Sequence, residues 1–197
     1  MKTTRLVLLT FLSLALVFLS SCKEEEPEEE LSPYIGDYII TKATLAEDII
    51  LQTNEIGPMT LVADLEITEM IQTALLGAID CEPENTLIEM REDFSLYLSC
   101  SSSMDELDAG TWEEQSETVI VLSMNSTAIP ASPTGIVLEV SEITLVGTKL
   151  TGLTTVPISE EMLAGLVAEM SGGQVTLDEE ATPPVVNMTF TIELTMQ

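Results

Sequence analysis

Histidine is absent from this 197-residue chain, so Ser-His-Asp and Cys-His arrangements and every histidine-ligated metal site lie outside its repertoire. The side chains left with chemistry to offer are the thiols of Cys22, Cys81 and Cys100 and 34 carboxylates. Two carboxylates can do acid–base work without histidine, but among 34 of them no pair is singled out. Asp105-Glu106-Leu107-Asp108 gathers acidic residues without the alternating Asp-x-Asp-x-Asp-Gly spacing of a calcium loop, and it reads as a solvated turn. No catalytic, metal or cofactor constellation emerges, and the chain reads as a non-enzyme.

The thiols are more informative. Lys2 and Arg5 precede an almost wholly apolar run from Leu6 to Leu19, and Ser20-Ser21 lead into Cys22, the three-part layout of an export signal. The run is too short to span a bilayer, which takes roughly 20 residues. Export places Cys81 and Cys100 in oxidising surroundings, where a disulfide between them is the natural inference. Closing that loop contributes on the order of 3 kcal/mol by the chain-entropy estimate. A reactive thiol is the alternative, but no basic residue adjoins either cysteine to lower its pKa.

Leu19-Ser20-Ser21-Cys22 resembles the lipobox of bacterial lipoproteins. That resemblance implies removal of residues 1–21 and acylation of Cys22; were Cys22 incidental, the same signal would release a soluble protein. Each buried methylene contributes about 0.8 kcal/mol, so two or more acyl chains hold a protein at its membrane where one is marginal. Residues 22–33 follow as a tether whose run from Glu24 to Glu30 is too self-repelling to pack. Lys23 followed by acidic residues also resembles the surface-export signal of Bacteroidota lipoproteins, implying the outer membrane, at the cell surface rather than the periplasmic face.

Removing Lys2 and Arg5 with the signal takes the formal charge from −28 to −30. Such a surface repels nucleic acid phosphates and anionic headgroups. Residues 34–197 are long enough for one domain with a proper core and short for two.

The elements that must position these residues are mostly strands. Tyr34–Thr44 reads as the first, and Phe94, Leu96, Leu98 and Cys100 share one face of another. Asp108-Ala109-Gly110 predicts a turn into Thr111-Trp112-Glu113, followed by a strand over Thr118–Met124. In Gly135–Val146, Ile136, Leu138 and Val140 share a face but Ile143 and Leu145 fall on the other, which predicts a bulge near Ser141-Glu142. Gly147-Thr148 predicts a hairpin into Lys149–Val156, and Val186–Met196 alternates without a break. Two segments change to the helical period. In Asp64–Ala78, Asp64 is the expected cap and Gly77 the stop. In the second, Ser159 caps a face of Met162, Leu163, Leu166, Val167 and Met170, and Gly172-Gly173 ends it.

The order of these motifs resembles the lipocalin-like lipoproteins of Bacteroidota. Gly36-Asp37-Tyr38 stands for that family's Gly-x-Trp, Cys81 and Cys100 for its cysteine pair, Asp93-Phe94 for its Asp-Gly-x-Phe turn, and Gly110-Thr111-Trp112 for its Gly-Thr-Trp. Tyrosine replaces the first tryptophan, no glycine follows Asp93, and the second helix is an addition. The resemblance implies a mainly β fold, an antiparallel up-and-down lipocalin-like barrel with two accessory α-helices, over residues 34–197. It also implies an interior able to hold a small apolar ligand. Flexible thioethers suit an adaptable pocket, but Met70, Met162 and Met170 lie on helix faces expected to pack into the core, and Trp112 reads as a packing residue of the barrel floor. The alternative is a filled barrel whose outer surface binds another envelope or host protein.

Overall fold

The computed structural model describes residues 31–103, 105–129, 132, 134–178 and 180–197. Residues 32–197 form one compact unit. Ten strands run β1 (Gly36–Leu45), β2 (Ile49–Thr53), β3 (Gly57–Leu61), β4 (Thr86–Met90), β5 (Ser95–Cys100), β6 (Glu106–Ser116), β7 (Val119–Met124), β8 (Ile136–Val146), β9 (Lys149–Ser159) and β10 (Val185–Met196). Helix α1 (Thr68–Leu76) precedes β4, and α2 (Glu160–Ser171) lies between β9 and β10. The fold is mainly β: eight strands close into an antiparallel barrel in the order β1-β10-β9-β8-β7-β6-β5-β4, lipocalin-like in form, with two accessory helices. Strand β1 closes the ring, pairing Tyr38–Leu45 with β10 and Gly36–Tyr38 with β4.

Closure requires curl, and bulges supply it. In β8 the register slips between Ser141 and Thr144, Glu142 takes a φ of 53°, and Ile143 returns to the interior with Leu138 and Val140. The expected bulge is therefore present. Opposite it, Gly152 has no room for a side chain, since an added Cβ would lie 2.6 Å from Val140 Cγ1.

The Asp108-Ala109-Gly110 turn is corrected: these residues lie inside β6 as a second bulge. Leu96 faces Gly110 and Tyr97 faces Asp108, leaving Ala109 as the extra residue. The Asp108 carboxylate accepts from the Gly110 amide at 3.0 Å, so the local chemistry of a turn is present but re-aims a strand. Phe94 does not open the Leu96 face. It sits in the β4–β5 turn at φ 62°, so it carries the left-handed backbone that a glycine after Asp93 would have taken.

Helix α1 is shorter than its periodicity suggests. It starts at Thr68 behind Ile67, without a side-chain cap, whereas Asp64 occupies a left-handed turn. Thr68 Oγ1 instead accepts from the Ala43 amide, tying the helix start to β1. Helix α2 follows its sequence closely. Ser159 accepts from the Met162 amide, Glu160 and Glu161 lie in the first turn, and Gly172 at φ 64° closes the helix. The β2–β3 hairpin was not foreseen, and it pairs with the segment before β10 through a Thr53–Leu177 bridge.

The disulfide joins Cys81, after α1, to Cys100 at the end of β5, with Cα atoms 5.8 Å apart. Replacing both cysteines by serine is expected to lower unfolding free energy by on the order of 3 kcal/mol, read from the urea midpoint of the oxidised parent against the double variant. At Gly110, an added Cβ would meet the Ser123 carbonyl oxygen at 2.0 Å with φ at 130°. Gly110→Ala is therefore expected to cost about 2 kcal/mol or more in the same assay; an unchanged midpoint would refute the bulge geometry.

Candidate functional site

The two ends of the barrel differ in kind. At one end, the segment before β1 and the β4–β5 and β6–β7 turns make a floor. Tyr34 donates its hydroxyl to the Glu117 carbonyl and Tyr38 donates to the Tyr34 carbonyl at 3.1 Å. Trp112, 2% exposed, points inward and donates Nε1–H to the Arg91 carbonyl at 2.9 Å. The Phe94 ring lies 5.4 Å from it at a tilt of 48°. The resemblance-based role of Trp112 as a floor residue agrees with this packing. Burial, then the neighbouring Tyr34, pushes the Tyr38 hydroxyl up to about 12.

Above the floor, the inward rows are occupied by large side chains from all eight strands. Tyr38, Ile40, Met90, Leu96, Leu98, Ile120, Leu138 and Phe190 are fully buried. One row runs Val140, Thr154, Phe190 and Leu45 across four strands. Thr154 Oγ1 is buried in it without a hydrogen-bond partner. An interior built this way is core, not calyx.

The other end is covered by α1, α2 and the β2–β3 hairpin, with the segment Val175–Asp178 bonded to the hairpin: the Asn54 amide donates to the Thr176 carbonyl and the Asp178 amide to the Gln52 carbonyl. The helices bury Ile71, Leu75 and Leu76 from α1 and Leu163 and Val167 from α2. Between α1 and the barrel rim a recess of about 440 Å³ remains. One wall combines Ala74 and Leu75 of α1 with the small residues Gly77 and Ala78 just after it, and Met162 of α2 adds to it. Its barrel wall is Ile136 of β8 and Val156 of β9, with Ala128 and Ile129 of the β7–β8 loop. Sites for small organic molecules occupy roughly 300–1,000 Å³ and are mostly apolar.

Three hydroxyls border this recess, and two are committed within the chain. Thr73 donates to the Glu69 carbonyl at 2.8 Å and Ser132 donates to the Gly135 carbonyl at 2.7 Å. Ser159 accepts from the Met162 amide and keeps its own hydrogen. The recess thus offers apolar wall and one hydroxyl donor, with no charged side chain among the described residues that line it.

The residues singled out from sequence scatter around this geometry. Cys22 lies outside the described residues, and Cys81 and Cys100 form the structural disulfide. Asp105–Asp108 does not make a separate turn but leads into β6, where Glu106 pairs with Arg91 at 2.6 Å. Arg91 also pairs with Glu89 at 2.5 Å and lies 3.9 Å over the Tyr97 ring. Burial alone would raise the Glu89 carboxyl, but hydrogen bonds from Ser99 and Arg91 and the guanidinium charge outweigh it and lower its pKa. On the neighbouring strand, burial and then Glu89 raise the Asp37 carboxyl. This is an outer-wall ion-pair network; its partly exposed pairs contribute at most about 1 kcal/mol each.

The methionines follow expectation in part. Met70 and Met162 are half-buried and pack against the core while also lining the space between the helices, whereas Met170 is 43% exposed. The recess lining was missed altogether. Its sequence signal was the small-residue spacing of Ala74, Gly77 and Ala78, which marks a helix end and following turn that cannot fill the space beside them. Comparison with family profiles, with curated proteins and with solved structures gives no match.

The floor makes a prediction for alkali. Because the folded pKa of Tyr38 is raised from 10.0 to about 12, its contribution to stability is complete below pH 10 and is lost as the pH climbs toward 12. Tyr38→Phe is expected to remove the highest step of a tyrosinate absorbance titration. A titration with that step intact would contradict the buried hydroxyl.

Proposed function

We propose that this protein is a membrane-anchored envelope lipoprotein that binds a small apolar ligand in the recess at the helix-covered end of its barrel, not in the barrel interior. The recess carries the reading: it has the volume of a small-molecule site, an apolar lining and one hydroxyl donor. Burial of a mainly apolar molecule there draws on the hydrophobic effect alone, at about 25 cal/mol per Å². Two further features support it. The chain enters the compact unit at Ser32, beside the floor, so an acylated Cys22 and its tether attach at the end opposite the recess. The surface-export resemblance around Lys23 supports an outer-membrane, outward-facing address.

Affinity for such a ligand varies little with salt, and its heat-capacity change is negative. The test uses an environment-sensitive apolar fluorophore with the mature chain carrying Cys22→Ser, so that no detergent competes. Ala78→Phe fills the recess from a half-buried position in the turn after α1. It is expected to weaken the fluorophore about tenfold, equivalent to about 1.4 kcal/mol, with the thermal midpoint unchanged. Equal affinity in parent and variant would overturn the site.

Anchoring has its own test. Cys22→Ala is expected to leave the precursor unprocessed or to release the protein from membranes on fractionation. Normal processing with full membrane retention would overturn the lipoprotein reading.

A further inference from the structure

A second concavity runs along the outside of the helix pair. Met70 and Thr73 of α1 face Met162, Leu166 and Glu169 of α2 across a hollow of about 300 Å³. Gly165 leaves it unobstructed, since nothing lies within 4 Å of where a Cβ would stand. The hollow continues past Met70, Leu166 and Glu169 to Leu65, Glu66 and Met170, where it encloses about 620 Å³. Leu65, Met70, Met162 and Leu166 pack against the core on one side, and their other side, with the exposed Met170, forms an apolar surface that no other described element covers.

Its chemistry is uniform. Three methionines and two leucines form the base, and Glu66, Glu69 and Glu169 form the rim. The lining contains no lysine or arginine among the described residues. Among the described residues the basic side chains are elsewhere: Lys42 stands on β1 beside Glu193, and Arg91 and Lys149 stand toward the floor end. Thioethers are flexible and polarizable, and re-pack around differing apolar surfaces. A carboxylate rim over such a base selects cations flanking an apolar stripe.

We infer that this groove docks an amphipathic helix of a partner protein, with apolar anchors at the i, i+3/i+4, i+7 spacing against the methionines and lysines or arginines over Glu66, Glu69 and Glu169. Charge complementarity decides the occupant. The chain's own Glu24–Glu30 segment carries the wrong sign, and an anionic membrane surface is repelled by the same carboxylates. The groove shares Thr73 and Met162 with the apolar recess, and its other lining residues are distinct from it.

The test uses the full mature lipoprotein in nanodiscs of neutral phosphatidylcholine, with methionine methyl groups labelled for NMR. The probe is an amphipathic leucine–lysine helix of about 14 residues, compared with a peptide of the same composition in scrambled order. The expected result is that the amphipathic peptide shifts the methyl signals of Met70, Met162 and Met170 and leaves Met59 and Met90 unmoved. Binding is expected to weaken at least about tenfold between roughly 50 and 300 mM salt, and by a similar factor in the double variant Glu69→Gln/Glu169→Gln. Both glutamates are exposed, so the variant keeps its fold. Equal binding of the scrambled peptide, unmoved signals from the three methionines, or wild-type affinity in the double variant would each overturn the proposal.

Discussion

The structure depends on one short seam. Strand β1 has to satisfy two neighbours at once, and it meets β4 through only Gly36, Asp37 and Tyr38. Without that pairing the eight strands are an open sheet with two bare edges, a form that invites association with other chains. The seam is held from inside by what it brings together. Tyr38 turns inward toward the floor that Trp112 and Phe94 form, and its hydroxyl is satisfied by the backbone of Tyr34. Three residue pairs make the seam, and the inward rows above the floor are filled by buried side chains. The apolar recess lies instead at the far end.

That displacement explains the elements a plain barrel would not need. A filled barrel leaves its far rim with apolar positions such as Ile136, Val156 and Ile158, which have to be covered. Helices α1 and α2 and the β2–β3 hairpin cover them, and the Cys81–Cys100 disulfide ties the chain after α1 to β5. Cover made from separate pieces fits less closely than interdigitated strands. The recess and the inter-helix groove are the spaces left where small residues, Ala74 and Gly77 on one helix and Gly165 on the other, meet the rim and each other.

Much of this was legible in the sequence because the deciding chemistry is local. The uninterrupted alternation of β10, the parity flip at Ser141-Glu142 and the Ser159 and Gly172 caps each specify their structure within a few residues. Where distant partners decide, local reading failed. Asp108-Ala109-Gly110 has the side-chain bond of a turn, but β5 and β7 on either side hold it as a bulge. The β2–β3 hairpin turns on Gly57, and its place is fixed by Thr176 and Leu177, more than a hundred residues away in the chain. Helix periodicity placed Met70, Met162 and Met170 alike on packed faces, and Met70 and Met162 do pack against the core, but Met170 is exposed because the period reports an apolar face without saying how much of it another element covers.

The barrel is filled by its own side chains, and the apolar recess lies beside α1 at the rim. A crystal of the domain pressurised with xenon tests this most directly, because the gas enters dry apolar space of adequate size and scatters strongly. The account predicts xenon against Ala74, Ala128 and Val156, and none among Tyr38, Trp112 and Phe190. Xenon at the centre of the barrel beside Trp112 and Phe190, with the rim empty, would contradict it.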